Sequence, residues 1–429
     1  MTNLKKFIFF FIFFAINSCS FFEEEDTILP GKRENVFEIE EEIIVKANKK
    51  IILSDPMEIK SWEQQHQNIR NHLFHFLSNP SLKLLSKVKL GSINFENLEH
   101  IVSPVIKNNT IFYVDDSFNV FSKNLENGKN YWRTQLKQEK KEKLSFIGGL
   151  AATDNELIVT TALGNIYSID LNNGDIKWVK NFLVQFSRPP TIYKNKIFAV
   201  SDDNQIFALS LNLGEKIWSH IGNIEEVSII GGSKPIIENN LVVVTYSSGE
   251  IFALNENDGS LVWFDNVNTG SFFNRNIVND IQAPLTSEGG RIYVPTFSDK
   301  FIAYNLEDGK KIWNLKFSSI NPIVISGETI YVLDSTGRLL CLDKKRGKLL
   351  WAVQLRLSKA GKEINWYGPI LTSYKIIVVS SEGLVLSLSP FTGKILSKIK
   401  FDENFIINPI QIKNKVLLIS KQGSLFILG

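Results

Sequence analysis

The stretch Ala208-Leu-Ser-Leu-Asn-Leu-Gly-Glu-Lys-Ile-Trp218 decides the fold. A small residue is followed six places later by glycine, and four places after that by an aromatic. The same frame recurs as Ser122/Gly128/Trp132, Ser168/Gly174/Trp178, Ala253/Gly259/Trp263, Ala303/Gly309/Trp313 and Cys341/Gly347/Trp351. A decayed copy sits at Ser387/Gly393/Ser397. The glycines lie 38 to 50 residues apart, which is the length of one β-propeller blade.

Each unit has one internal grammar. A proline or small residue opens it, as at Pro104, Ala151, Pro190, Pro235, Pro284, Pro322, Pro369 and Pro409. Four short apolar strands follow, separated by turns rich in Asp, Ser and Gly, the pattern of an antiparallel blade. The frame glycine sits in the turn between the third and fourth strands, where a positive φ is needed. The tryptophan comes next, on the fourth strand, where its indole covers the small side chain opposite. Cys341 takes that small-residue place, so its reading is structural rather than redox or metal-binding.

Third strands are expected around Val120, Ile166, Ile206, Ile251, Phe301, Leu339, Val385 and Leu425, which makes eight units. The last one has no fourth strand of its own before Gly429. Leu84-Leu-Ser-Lys-Val-Lys-Leu90 matches Ile395-Leu-Ser-Lys-Ile-Lys-Phe401 nearly position by position. The N-terminal strand is therefore expected to complete the last blade and close the ring, removing an open sheet edge. The expected fold is all-β: a single eight-bladed propeller over residues 61–429.

The first sixty residues read as targeting and tether. Lys5 and Lys6 precede an apolar run from Phe7 to Ile16 that is too short to span a bilayer. Ser18-Cys19 follows at once and looks like a bacterial lipobox, implying a signal peptide over 1–18 and acylation of Cys19. Ser20 after the cysteine leans towards the outer membrane. Residues 20 to 42 carry nine acidic groups against Lys32 and Arg33, a solvated linker within a tether expected to run over 19–60. Only Cys341 remains beyond Cys19, so no disulfide forms within the mature chain. No cluster of Lys and Arg is dense enough to suggest nucleic acid.

The repeated frame resembles the tryptophan-docking motif of the quinoprotein (PQQ-type) propellers. Within that superfamily the chain is most similar to the BamB family, lipoproteins of outer-membrane β-barrel assembly. Leu29-Pro30-Gly31-Lys32-Arg33 resembles a short motif of that family after the tether. Trp62, Asn68 and His72 resemble its segment before the closing strand. The resemblance implies a non-catalytic scaffold without cofactor or metal, lipid-anchored at Cys19 and facing the periplasm. Its partners would be the POTRA domains of the BamA insertase, other BAM lipoproteins and, in principle, unfolded outer-membrane proteins.

The quinoprotein dehydrogenases are the competing branch, and an adaptor for another envelope complex is a third reading. The dehydrogenases resemble a larger propeller with adjacent cysteines, a calcium site and a catalytic aspartate. Here there is no cysteine pair, and His66, His72, His75, His100 and His220 have no metal-ligand spacing. Asp115-Asp116 and Asp202-Asp203 fall at turns between second and third strands, where aspartate serves the turn itself.

Two connections between blades are long, residues 219–233 and 264–282, and long loops of this kind are usually functional. The first holds Val227, Ser228, Ile229, Ile230 and Gly231. These match a Leu-Ser-Leu-Arg-Gly stretch that BamB proteins use to dock on the insertase, with Ile230 in place of the arginine. The alternative is that they extend the inner strand of the next blade. In the second loop Asn279 and Asp280 lie nearest the family's Asp-x-Asp pair. The expected partner-binding residues are these seven. Trp132, Trp178, Trp218, Trp263, Trp313 and Trp351 are expected to be structural.

Overall fold

The structure, a computed structural model, describes residues 43–46, 50–78, 81–90, 102–115, 117–137, 147–223, 231–267, 281, 283–296, 299–355, 358–359 and 362–429. Every regular element among them is a β-strand. Eight antiparallel sheets follow one another along the chain as the blades of an eight-bladed propeller. Blade 3 is representative: Thr191–Tyr193, Lys196–Val200, Gln205–Ser210 and Lys216–Ile221 pair in that order. Its inner strands are buried almost throughout, whereas in Lys216–Ile221 only Trp218 is fully buried. All eight third strands read from the sequence are present, from Asn119–Asn124 to Ser424–Leu428.

The small residue and the aromatic of each frame are direct cross-strand partners. Ser122 faces Trp132, Ser168 faces Trp178, Ala208 faces Trp218, Ala253 faces Trp263, Ala303 faces Trp313 and Cys341 faces Trp351. In the decayed copy Ser387 faces Ser397. Cys341 is fully buried, and burial pushes its thiol pKa well up, as an inert core position requires.

Each indole also reaches the following blade, which the sequence reading did not foresee. Its Nε1–H donates to a carbonyl there: Trp132 to Leu171 at 2.9 Å, Trp218 to Glu256 at 3.1 Å and Trp263 to Leu306 at 2.8 Å. Its ring lies against the frame glycine of that next blade. A Cβ on Gly174 would come within 2.7 Å of Trp132, and one on Gly309 within 2.6 Å of Trp263. These glycines have φ of +81° and +67°, so they serve both the turn and the docked indole.

Blade 8 takes its outer strand from the N-terminal side. Leu84–Lys89 pairs antiparallel with Ser424–Leu428, from Leu84 opposite Leu428 to Lys89 opposite Ser424. Val88 of this strand packs where a Cβ on Gly128 of blade 1 would stand, 2.6 Å away. Blades 7 and 8 carry Ser397 and Ser86 where the others carry tryptophan. A hydrophobic core that includes Val379, Leu386, Leu417 and Phe426 fills this sector and runs on from blade 6 into blade 1.

The tether, expected to run to residue 60, meets the propeller earlier. Ile43–Lys46 adds an antiparallel strand to the outer edge of blade 6, on Leu349–Gln354. Ile51, Leu53 and Ile59 pack against the core, and the Ser54 amide donates to Ser326 Oγ at 3.0 Å. The apolar runs Ile43-Ile-Val45 and Ile51-Ile-Leu53 break the acidic composition and account for the shift. The signal segment, Cys19 and the acidic stretch lie outside the described residues.

Candidate functional site

The first strands line the propeller axis, and each is the inner edge of its sheet. Their backbone groups need partners. A strap formed by residues 57–78 supplies them in one circuit of all eight blades. Trp62 exchanges backbone hydrogen bonds with Ile106 of blade 1 at 2.7 and 2.8 Å. Ala152 of blade 2 donates to Glu63, and Gln64 Nε2 donates to the Ile192 carbonyl of blade 3 at 2.9 Å. Ile237 of blade 4 donates to Ile69 at 2.9 Å, and Ser287 of blade 5 to Arg70 at 3.1 Å. Leu73 bridges to Val324 of blade 6, and His75–Phe76 pairs in parallel with Leu371 and Thr372 of blade 7. Lys413 of blade 8 donates to Ile59 at 2.6 Å. A tight turn between Gln64 and Gln67, with positive φ at His66 and Gln67, bends the strap.

Between strap and blades lies Lys234, 1% exposed, whose ammonium donates to the Asn68 carbonyl at 3.0 Å and reaches Thr191 Oγ1 at 3.4 Å. Burial among neutral groups lowers its pKa to about 7. His66 beside it is held down to about 3, first by burial and then by the Lys234 charge.

The two long loops lead into the first strands of blades 4 and 5, Ile236–Glu238 and Thr286–Glu288. Residues 224–230 lie outside the described residues, so Val227, Ser228, Ile229 and Ile230 are not placed; both flanks are. On the incoming flank, Gly222 donates to the Asn204 carbonyl at 2.9 Å, and Asn204 Nδ2 donates to that of Asn223 at 2.7 Å. Glu250, 2% exposed, accepts the Asn223 amide at 2.8 Å and the Ser248 hydroxyl at 2.7 Å. A Cβ on Gly222 would stand 2.3 Å from Tyr246.

On the outgoing flank, Gly231 donates its N–H to Ser187 Oγ at 2.9 Å, and Ser187 donates in turn to Asp202 Oδ1. Burial raises the Asp202 pKa, opposed by Ser187 and the nearby Arg188 charge. Arg188 is 2% exposed, donates to the Thr245 carbonyl at 2.5 Å and runs beside Gly232. Asp202 therefore does more than shape a turn: it anchors the next blade's loop. Asp115 keeps to the expected role, accepting the Ser117 and Asn119 amides at 3.0 and 2.8 Å. Asp116 lies outside the described residues.

The second loop begins after Val267, whose amide donates to Gly249 at 3.0 Å. Residues 268–280, Asn279 and Asp280 among them, lie outside the described residues. The chain returns at the fully buried Ile281 and Ala283. There the Leu285 amide donates to Ser233 Oγ at 3.0 Å, tying the outgoing flanks of the two loops together.

A sequence profile described as "Outer membrane protein assembly factor BamB" matches residues 128–353, more than half of the chain. The chain belongs to the BamB family. BamB of Moranella endobia is 21% identical over 339 residues, covering 78% of this chain and 85% of that one. The crystal structure of BamB from Moraxella catarrhalis superposes with a TM-score of 0.67 at 18% identity, covering 81% of this chain and 99% of that one. A europium-containing methanol dehydrogenase superposes with a TM-score of 0.68 at 13% identity, covering 86% and 98%. Such likenesses establish the propeller fold and do not by themselves separate BamB from the dehydrogenases.

The dehydrogenase resemblance brings with it a quinone and a calcium ion. Among the described residues no three His, Cys, Asp or Glu side chains converge as metal ligands. The described cysteine is single and buried. The described residues do not supply the donor set of a quinone–calcium pair. What blades 3 to 5 do offer is two neighbouring loops held at their bases by buried polar contacts.

Proposed function

We propose that this protein is a non-catalytic outer-membrane protein assembly factor. It is anchored by acylated Cys19 and docks on the periplasmic POTRA domains of a BamA-type insertase alongside other lipoproteins of that machinery. Family membership supports the assembly role, because the related proteins carry that description. The observation that carries the docking surface is the double clamp. Glu250 with Asn204 grips one flank of residues 224–230, and Ser187 with Asp202 grips the other. Rigid bases lower the ordering cost of a loop on binding. Val227, Ser228, Ile229, Ile230 and Gly231 form the principal contact, with Asn279 and Asp280 beside it. Since Ile230 takes the place of the family arginine, apolar burial carries more of the contact than a charged hydrogen bond.

The test is a mild-detergent pull-down from native membranes with wild type and with Val227→Asp/Ile229→Asp. The expected result is insertase with wild type and none with the variant, at equal thermal stability. Insertase with both discards the loop; insertase with neither discards the assembly role.

A further inference from the structure

The two matching segments that complete blades 8 and 7 share more than their pairing. Lys83-Leu-Leu-Ser-Lys-Val-Lys89 and Lys394-Ile-Leu-Ser-Lys-Ile-Lys400 run into and along the outer strands Leu84–Lys89 and Ile395–Lys400. Serine replaces tryptophan in both, and the residues alternating with it share the opposite face of the strand. On blade 8 these are Lys83, Leu85, Lys87 and Lys89; on blade 7 they are Lys394, Leu396, Lys398 and Lys400. All eight are exposed, Leu85 at 58% and Leu396 at 50%. Blades 7 and 8 pack directly together, with the Phe401 and Phe426 rings 5.4 Å apart edge to face. One sector of the rim thus presents six lysines with a leucine set among them on each strand. Glu403 pairs with Lys87, and Asp402 beside it is exposed.

We propose that this rim of blades 7 and 8 rests on an anionic phospholipid surface. Lysines around exposed leucines fit such a surface: the ammonium groups meet headgroup phosphates and the leucines enter the interface. Its position suits the role. Blade 6, the neighbour of blade 7, carries on its outer edge Ile43–Lys46, the first described strand of the chain. Contact here would set the propeller edge-on to the membrane. The inference uses neither the insertase contact nor acylation of Cys19, and the assay below can fail while the pull-down succeeds.

The test uses an unacylated chain from Ser20 to Gly429, which keeps the whole compact unit Glu41–Gly429. It is co-sedimented with phosphatidylethanolamine–phosphatidylglycerol vesicles and with phosphatidylcholine vesicles. Binding is expected to the anionic vesicles alone, and to be lost in high salt. The variants Lys394→Gln/Lys398→Gln/Lys400→Gln and Lys83→Gln/Lys89→Gln should each weaken it by roughly tenfold or more, with unchanged melting temperature. Leu85→Asn/Leu396→Asn should weaken it as well. Lys310→Gln/Lys311→Gln on blade 5 should bind like wild type. Equal pelleting with both vesicle types overturns the proposal. So does full binding by the blade 7 and blade 8 variants, or an equal loss in the blade 5 control, which would assign the attraction to overall charge.

Discussion

The Trp218 indole lies on Gly259 of the following blade, so close that a Cβ there would stand 2.6 Å from Trp218 Cε3. Gly259 has φ of +73°, and Trp218 also donates to the Glu256 carbonyl at 3.1 Å. One glycine therefore serves a turn in its own sheet and a contact with the sheet before it. Gly259→Ala should cost about 2–4 kcal/mol from left-handed strain and overpacking together. In a double-mutant cycle Trp218→Leu should recover the overpacking part only, so the two losses should fall short of additivity. Urea denaturation of the four proteins measures this; strict additivity would mean the indole does not press on the glycine.

Glu250 is the clamp on the incoming flank of residues 224–230. Glu250→Ala removes the acceptor for the Asn223 amide and the Ser248 hydroxyl. Local opening should become easier by about 1–3 kcal/mol. Hydrogen exchange at Asn223 should accelerate while amides of blades 6 to 8 keep their protection. Uniform acceleration would make Glu250 a general stability residue instead.

Lys234 is a buried ammonium with no carboxylate partner among the described residues. Its folded pKa of about 7 lies below the ordinary 10.5. Between those values the unfolded chain holds the proton and the folded protein does not, so stability rises with pH across that window. Lys234→Met should therefore be more stable than wild type. The gain should be full below about pH 7 and should fade as pH rises towards 10.5. Melting curves at pH 6, 8 and 10 (chosen to span the shift) check it; a gain that does not change with pH would show packing, not charge, at work.

Val88 joins the outer strand of blade 8 to Gly128 of blade 1 and is 7% exposed. If this strand closes the ring, Val88→Asp should lower stability by about 3 kcal/mol or more. Exposed Lys89→Gln on the same strand should stay within about 0.5 kcal/mol of wild type. Urea midpoints that moved equally for both would deny the strand that role.

The sequence alone determined the blade count, the order of strands and the pairing of each small residue with its tryptophan. Those are local: a period of one blade, alternation along a strand and a glycine turn are all written within a few tens of residues. The likeness of residues 84–90 to 395–401 even pointed to the outer strand of blade 8. Tertiary structure decided the rest. Nothing near Gly259 announces the indole of the blade before it. Trp62, Asn68 and His72 stood out as a family segment, but their circuit of the axis did not. The strap's partners lie from 44 residues away, for Trp62 and Ile106, to 354, for Ile59 and Lys413. They meet mostly through backbone groups that every sequence possesses. Asp202 read as a turn residue because a turn is local, whereas its hold on Gly231 through Ser187 exists only once blades 3 and 4 stand side by side. Short-range pattern fixes the elements. Contacts made by backbone or by buried polar side chains across blades leave no periodic trace, and those contacts shape the candidate site.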